Sequence, residues 1–235
     1  MSELAIEGID LVRSDNIIVE TRYGSVPLFC VTTEKHELFF LERHHGEGMM
    51  PPHKINHRAN IKALEGSGVD CILSVCSVGT IPTDFPPGSV GYATQYIDFT
   101  GVDMSYSNSD AVFTSMTTPF DEDMNKKLDS TLSKLQPGVK LPRTYWLAQG
   151  PHFETIAEIN AIEKLGGEVV GMTMPRECKL ANELKIPYAA ILVSSNWAAG
   201  RDPDDSQKPL NHEEVTSTAT SKLSPVVECI KSFTQ

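Results

Sequence analysis

Short, nearly continuous apolar runs alternate along this chain with stretches in which apolar residues recur every three or four positions. The first pattern is that of buried strands and the second that of helices with one covered face. Residues 17–21 and 28–31 read as strands around a turn at Tyr23-Gly24-Ser25. The run Leu38-Phe39-Phe40-Leu41 is short and apolar on both faces, as in a central strand. A helix is expected over 56–64, broken at Gly66-Ser67-Gly68, then strands over 69–78 and 91–99, and an amphipathic helix over 124–135 ended by Pro137-Gly138. Residues 144–148 read as a strand. Thr155 and Glu158 have the spacing of a capping box, and Ile156, Ile159, Ile162 and Leu165 follow on one side of the helix it opens. A strand over 168–172, a helix over 177–184, a strand over 188–195 and a closing helix over 213–233 complete the pattern. Such alternation predicts an α/β fold with a largely parallel or mixed sheet, in which ligands collect at the carboxyl ends of strands.

Composition narrows the function. The 235 residues carry a net charge of −11, which argues against non-specific binding to nucleic acid or to anionic membrane surfaces. No apolar run approaches the roughly 20 residues that cross a bilayer. The opening Met1-Ser2-Glu3-Leu4 lacks the basic stretch and apolar core of a secretion signal, so a cytoplasmic protein is expected. Cys30, Cys71, Cys76, Cys178 and Cys229 are odd in number and scattered, which suits small buried hydrophobes in a reducing compartment rather than a disulfide framework. No CxxC spacing points to zinc. No repeat or linker divides the chain, and residues 1–235 read as one domain.

Polar clusters follow several of these strands. Arg43-His44-His45-Gly46-Glu47-Gly48 offers a planar donor fork and a ring N–H, which suit an oxyanion; the adjacent histidines also permit a metal, without a third ligand at suitable spacing. Gly150-Pro151-His152-Phe153-Glu154-Thr155 offers a flat wall in Phe153 and an acid in Glu154. Gly171-Met172-Thr173 could pack on a sugar and donate to an anion. Ser194-Ser195-Asn196-Trp197-Ala198 contains an amide able to donate and accept at one base edge. Taken singly, these segments read equally well as a solvated loop, a helix-dipole acid, a strand terminus and a turn. Asn211, before His212-Glu213-Glu214-Val215, doubles as an N-cap.

Together they resemble the trimeric branch of the purine nucleoside phosphorylase and methylthioadenosine phosphorylase family. The likeness runs from about Tyr23 to the end. It rests on Arg43-His44, Pro52-His53-Lys54-Ile55-Asn56-His57-Arg58-Ala59-Asn60, Gly150-Pro151-His152-Phe153-Glu154-Thr155-Ile156-Ala157-Glu158, Gly171-Met172-Thr173 with Glu177, and Asn196. The resemblance implies a mixed, twisted, partly barrel-like central sheet flanked by helices, and a homotrimer or dimer of trimers. It implies phosphate binding by Arg43, His44, Cys76, Ser77 and Thr173, and a ribose contact at Met172. It further implies a base pocket from Phe153, Glu154, Asn196, Trp197 and Ala198, and a 5′-hydroxyl contact at His212. Asn196, Glu154 and His44 would be the catalytic residues.

The implied reaction is phosphorolysis of 6-oxopurine nucleosides such as inosine and guanosine in purine salvage. It is a pentosyl transfer with inorganic phosphate as co-substrate and no other cofactor or metal. An S-methyl-5′-thioinosine or methylthioadenosine phosphorylase is the alternative within the family, and a non-catalytic purine-binding relative the alternative outside catalysis. Three departures stand out. The apolar strand and Gly-rich phosphate loop that usually open such chains find no match at the start of this one. His45 stands where a glycine is usual, and Cys76-Ser77 where Asn-Ala or Thr-Ala is usual.

Overall fold

A computed structural model describes residues 12–46, 48–107, 109–210 and 223–234. The described residues open with β1 (Arg13–Thr21), β2 (Gly24–Thr32) and β3 (Glu37–Phe40), an antiparallel three-stranded sheet in the order β1-β2-β3. β3 is therefore an edge strand of a small sheet, not the central strand its apolar run suggests. Its two faces are both apolar for separate reasons. Phe39 packs on the main core, while Phe40 meets Phe29 across the sheet with ring centroids 6.4 Å apart. Helix α1 (His57–Gly66) starts at Asn56, whose side chain accepts from Ala59 N at 3.0 Å and donates to Tyr23 O at 2.7 Å. One residue thus caps the helix and pins it to the β1–β2 turn.

The second sheet closes on itself. β4 (Ile72–Thr80), β5 (Val90–Asp98), β6 (Pro142–Leu147), β7 (Val169–Gly171) and β8 (Tyr188–Trp197) form a barrel in the order β4-β7-β6-β5-β8. β4 runs parallel to β8, and β5 and β7 run parallel to β6; the β4–β7 and β5–β8 joins are antiparallel. The pairing of β4 with β8 slips once. Val78 faces Ser194 but Gly79 faces Asn196, so Ser195 has no residue opposite it. Such a bulge bends the strand and re-aims the side chains beyond it. β8 extends through Asn196 and Trp197, which lie in the strand rather than in a following turn.

Helices cover the barrel. α2 (Glu122–Leu135) buries Met124, Leu128 and Leu132 against β5, β8 and α5 (Ser224–Ser232). The expected closing helix is present over this shorter span, with Pro225 in its first turn; residues 213–222 lie outside the described residues. α4 (Met174–Glu183) starts three residues before the expected position, because Pro175 fits the first helical turn, where no amide is needed. α3 (Ile156–Lys164) has the expected box: Thr155 Oγ1 accepts from Glu158 N, and Glu158 accepts from Thr155 N at 2.8 Å. Of its apolar row only Ile159 and Ile162 are buried, against Ile81, Val170 and Ala198. Ile156 and Leu165 stay exposed. Cys76, Cys178 and Cys229 are buried thiols as expected, whereas Cys71 is exposed and Cys30 half-buried.

One buried ion pair fastens the segment after β3 to the barrel. Arg43 Nε donates to Glu177 Oε1 at 2.7 Å and Nη2 to Glu177 Oε2 at 3.1 Å. Nη1 also donates to Val75 O at 2.8 Å and Nη2 to Ser74 Oγ at 2.6 Å, both on β4. Tyr188 OH and Ser74 Oγ donate to Glu177 Oε2 at 3.0 and 3.1 Å. Burial would raise the Glu177 carboxyl, but the Arg43 guanidinium overcomes it and holds the acid well below the usual carboxylate range.

Two stability outcomes follow. Glu177→Gln leaves a buried cation without its counter-charge and should cost about 3–5 kcal/mol at neutral pH. The depressed acid stabilises the fold above its ordinary value of 4.5, and that share is lost as pH falls below 4.5 towards the folded value. The gap between wild type and variant, read by denaturant titration at several pH values, should therefore close in acid. Thr155→Ala, which removes one half of the capping box, should cost about 1 kcal/mol and lower Tm by about 2–4 °C in calorimetry.

Candidate functional site

Several of the polar clusters meet along β4 and the strands beside it. Arg43 and His44 arrive from β3, and Arg43 reaches Ser74 and Val75 on β4. Cys76 lies buried among Arg43, Ser74 and Thr173, and burial pushes its thiol pKa up, so it is a neutral group there. Ser77 Oγ donates to Ser195 Oγ at 2.7 Å, joining β4 to the bulge of β8. Gly79 then brings two clusters together. A side-chain carbon at this position would lie 3.2 Å from Val170 Cγ1 and 3.3 Å from Asn196 Nδ2. The missing Cβ thus eases the close approach of β7 and Asn196.

The second cluster joins through β6. Leu147 pairs with Gly171, and Ala148 N donates to Gly171 O at 2.8 Å. Gly150, at φ +65°, lies against Met172, whose Sδ would be 2.6 Å from a Cβ there. The start of α3 packs on the loop after β8: Ile156 Cγ2 would be 3.0 Å from a Cβ at Gly200, and Arg201 Nη2 reaches Glu163 Oε2 at 2.7 Å. Glu154 lies two residues before α3 and Asn196 four before Gly200, so this packing joins the two segments that carry them.

Hydrogen-bond accounting limits what each group can offer. An arginine has five N–H donors. Arg43 uses four of them on Glu177, Val75 and Ser74, so one Nη1–H remains for a ligand. The planar fork expected for an oxyanion is therefore directed at Glu177, because burial demands a counter-charge for the guanidinium. His44 Nδ1 is 2.7 Å from Met50 O, which accepts its proton and leaves Nε2 as the outward atom. Burial, with the Arg43 charge, lowers the His44 pKa from 6.5 despite that bond, so the neutral ring presents a lone pair. His45 Nε2 meets Asn60 Oδ1 at 2.7 Å, and Asn60 Nδ2 donates to Arg43 O at 3.2 Å. That accounts for His45 as a brace of the Arg43 turn. Among the described residues no group of three or more His, Cys, Asp or Glu could hold a metal ion.

Asn196 Nδ2 donates to Trp197 O at 2.8 Å, and Oδ1 lies 2.9 Å from Ser195 Oγ. One N–H and one lone pair of the amide are left. Glu154 Oε1 is buried with no hydrogen-bond partner among the described residues, and burial raises its carboxyl above 4.5. Phe153 is exposed and Met172 half-buried beside Gly150. Thr173 is buried at the start of α4, with its amide 3.4 Å from the Tyr145 hydroxyl and no capping bond from its own side chain. Trp197 is half-buried. The Ala198 methyl is packed in the α3 core, and its backbone N–H donates to Thr80 O at 2.8 Å, so neither is offered to a ligand. His212 lies outside the described residues. A solvent-open cavity of about 470 Å³ lined by Arg22, Tyr23 and Tyr106 shares no residue with these clusters. Sequence reasoning gave no role to Ser74, Tyr145, Ser195 or Glu177. Each acts through a partner distant in the chain, and no local pattern marks such pairs.

The phosphorylase superfamily profile matches residues 9–233. A protein of Thermodesulfovibrio yellowstonii named "Probable S-methyl-5'-thioinosine phosphorylase" is 35% identical over 224 residues, covering 93% of this chain and 83% of its own. The 6-oxopurine nucleoside phosphorylase of Pyrococcus furiosus is 36% identical over 221 residues, covering 90% and 82%. Among solved structures, methylthioadenosine phosphorylase from Schistosoma mansoni in complex with adenine superposes with a TM-score of 0.83 at 21% identity. It covers 94% of this chain and 86% of that one, a likeness of fold. With a barrel of the same architecture and a matching profile over almost its whole length, the chain belongs to the phosphorylase superfamily.

Proposed function

We propose that this protein is a purine nucleoside phosphorylase that splits 6-oxopurine nucleosides with phosphate, giving the free base and ribose 1-phosphate. One observation carries the reading: Glu154 holds a buried carboxylate oxygen without a donor. In the proposed pocket it shares the base edge with the Asn196 amide, which has one spare donor and one spare acceptor. A buried acceptor left empty is costly, and a ligand N–H relieves it. The N1–H of a 6-oxopurine supplies that donor, whereas adenine presents a lone pair at N1 and repels the acid. Asn196 donates its free N–H to O6. N7 takes a proton from solvent water as the electron pair arrives, and the resulting N7–H donates to Asn196 Oδ1, so the base leaves neutral.

In the proposed reaction a phosphate oxygen bonds to C1′ as the C1′–N9 bond breaks, and the electron pair passes into the purine. The sugar is oxocarbenium-like at the crest, so bonds to O6 and N7 that strengthen there speed the reaction. Arg43 contributes its remaining Nη1–H to the anion, with Thr173 and the Cys76-Ser77 segment beside it. Neutral His44 accepts, through Nε2, the proton that hydrogen phosphate still carries. Met172 takes the ribose face. Relatives named as methylthioinosine phosphorylases keep that sugar as the second reading. We place the enzyme in the cytoplasm, as a homotrimer or dimer of trimers. The exposed Phe99, Val112 and Phe113 support a contact between copies, which light scattering reads.

The deciding assay gives inosine, guanosine, adenosine and methylthioinosine to the protein, each with and without phosphate. Hypoxanthine released from inosine only when phosphate is present is the expected result. Release without phosphate would make it a hydrolase, and purine binding without release a non-catalytic relative. Glu154→Ser with Asn196→Asp should lower the inosine-to-adenosine ratio of kcat/KM by about 10²-fold or more. An unchanged ratio removes these residues from the pocket. Ionised Glu154 is the active form and burial raises its pKa, so kcat/KM for inosine should fall on an acid limb lying above 4.5. Glu154→Gln should lose about 10²-fold in rate and that limb with it.

A further inference from the structure

Arg176, on the first turn of α4, is only 3% exposed. Its Nη1 donates to Met172 O at 3.1 Å and its Nη2 to Gln149 Oε1 at 3.0 Å, while Nε is buried with no partner. Among the described residues it forms no ion pair. Asp98, whose charge acts on it, is bonded instead to Lys179 Nζ and Thr100. Arg143 offers the contrast: it is fully buried and carries Asp84 at 2.9 Å and Glu168 at 3.2 Å. A buried guanidinium held only by neutral oxygens stabilises a fold poorly. Such groups concentrate where geometry matters more than stability.

The two acceptors identify what is held. Met172 precedes Thr173, on the sugar and phosphate side of the proposed site. Gln149 precedes Gly150 and lies on the exposed turn that leads to Phe153 and Glu154, on the base side. We propose that Arg176 is a positioning residue: it fixes the Gln149–Gly150 turn against the Met172 carbonyl and so sets the distance between base and sugar contacts. This rests on the functional reading above. A displacement of about 1 Å between such contacts can cost about 10²-fold in rate.

The test varies inosine and phosphate independently in steady state. Arg176→Met keeps length and apolar bulk but removes both donors. Gln149→Leu alters only the exposed turn. Each should lower kcat/KM for inosine about 10- to 100-fold, with the KM for phosphate held within about twofold. The double variant should be no worse than the poorer single one, because both break the same link. Arg176→Lys should recover part of the loss. A folded Arg176→Met with wild-type kinetics overturns the proposal, as do additive losses in the double variant or a loss carried by phosphate KM. If Arg176→Met does not fold, Gln149→Leu decides, and unchanged kinetics there overturn it. Should the wild type release no base, the functional reading fails by itself. The same cycle is then run on hypoxanthine affinity by calorimetry: non-additive weakening supports the link, and unchanged affinity overturns it.

Discussion

The ion pair between Arg43 and Glu177 holds together two parts of the molecule that otherwise share little backbone pairing. The small antiparallel sheet hands the chain to Arg43, and Arg43 hands it to β4 and α4. The acid accepts from Arg43, Ser74 and Tyr188, so its charge is met from three elements at once. His57, buried on α1, adds a fourth neighbour at 3.7 Å from Oε1, too far for a hydrogen bond. The consequence for an incoming anion is electrostatic. A guanidinium already neutralised by a buried carboxylate offers a directed N–H rather than a full charge. Neutral His44 adds no positive charge either. Under the function proposed above, the anion is recognised by fixed dipoles and by its own proton, rather than by free cations among the described residues.

The proposed site is assembled from strand ends that approach unusually closely. Gly79 lets β7 and Asn196 meet, and Gly150 lets the base-side turn lie on Met172. Both positions carry chemistry through what they lack. A Cβ at Gly79 would press on Val170 and Asn196, and one at Gly150 would displace the Met172 side chain and strain a backbone held at φ +65°.

Much of the secondary structure could be read from the chain because its signals are local. Thr155 and Glu158 need only each other to cap α3, and Asn56 needs only Ala59. What periodicity could not tell was how wide a stripe would be covered: Ile156 and Leu165 lie at the ends of α3, beyond the reach of the barrel. Nor could it place β3, whose apolar faces arise from two different neighbours. The residues proposed for the site could be named from the sequence, yet their hydrogen bonding could not. Arg43 and Glu177 stand 134 positions apart, and no local pattern announces that one would consume the other's donors.

The unpaired Ser195 in β8 makes chain length at this point a structural parameter. Removing that residue would return β8 to regular pairing and abolish the bend with which the bulge aims Asn196, while removing a paired neighbour would shift the register of the pairs beyond it. In either case the amide would survive in the sequence and lose its present aim. Descent from a common ancestor can therefore tolerate exchange of many neighbours in this strand far more readily than one gained or lost codon.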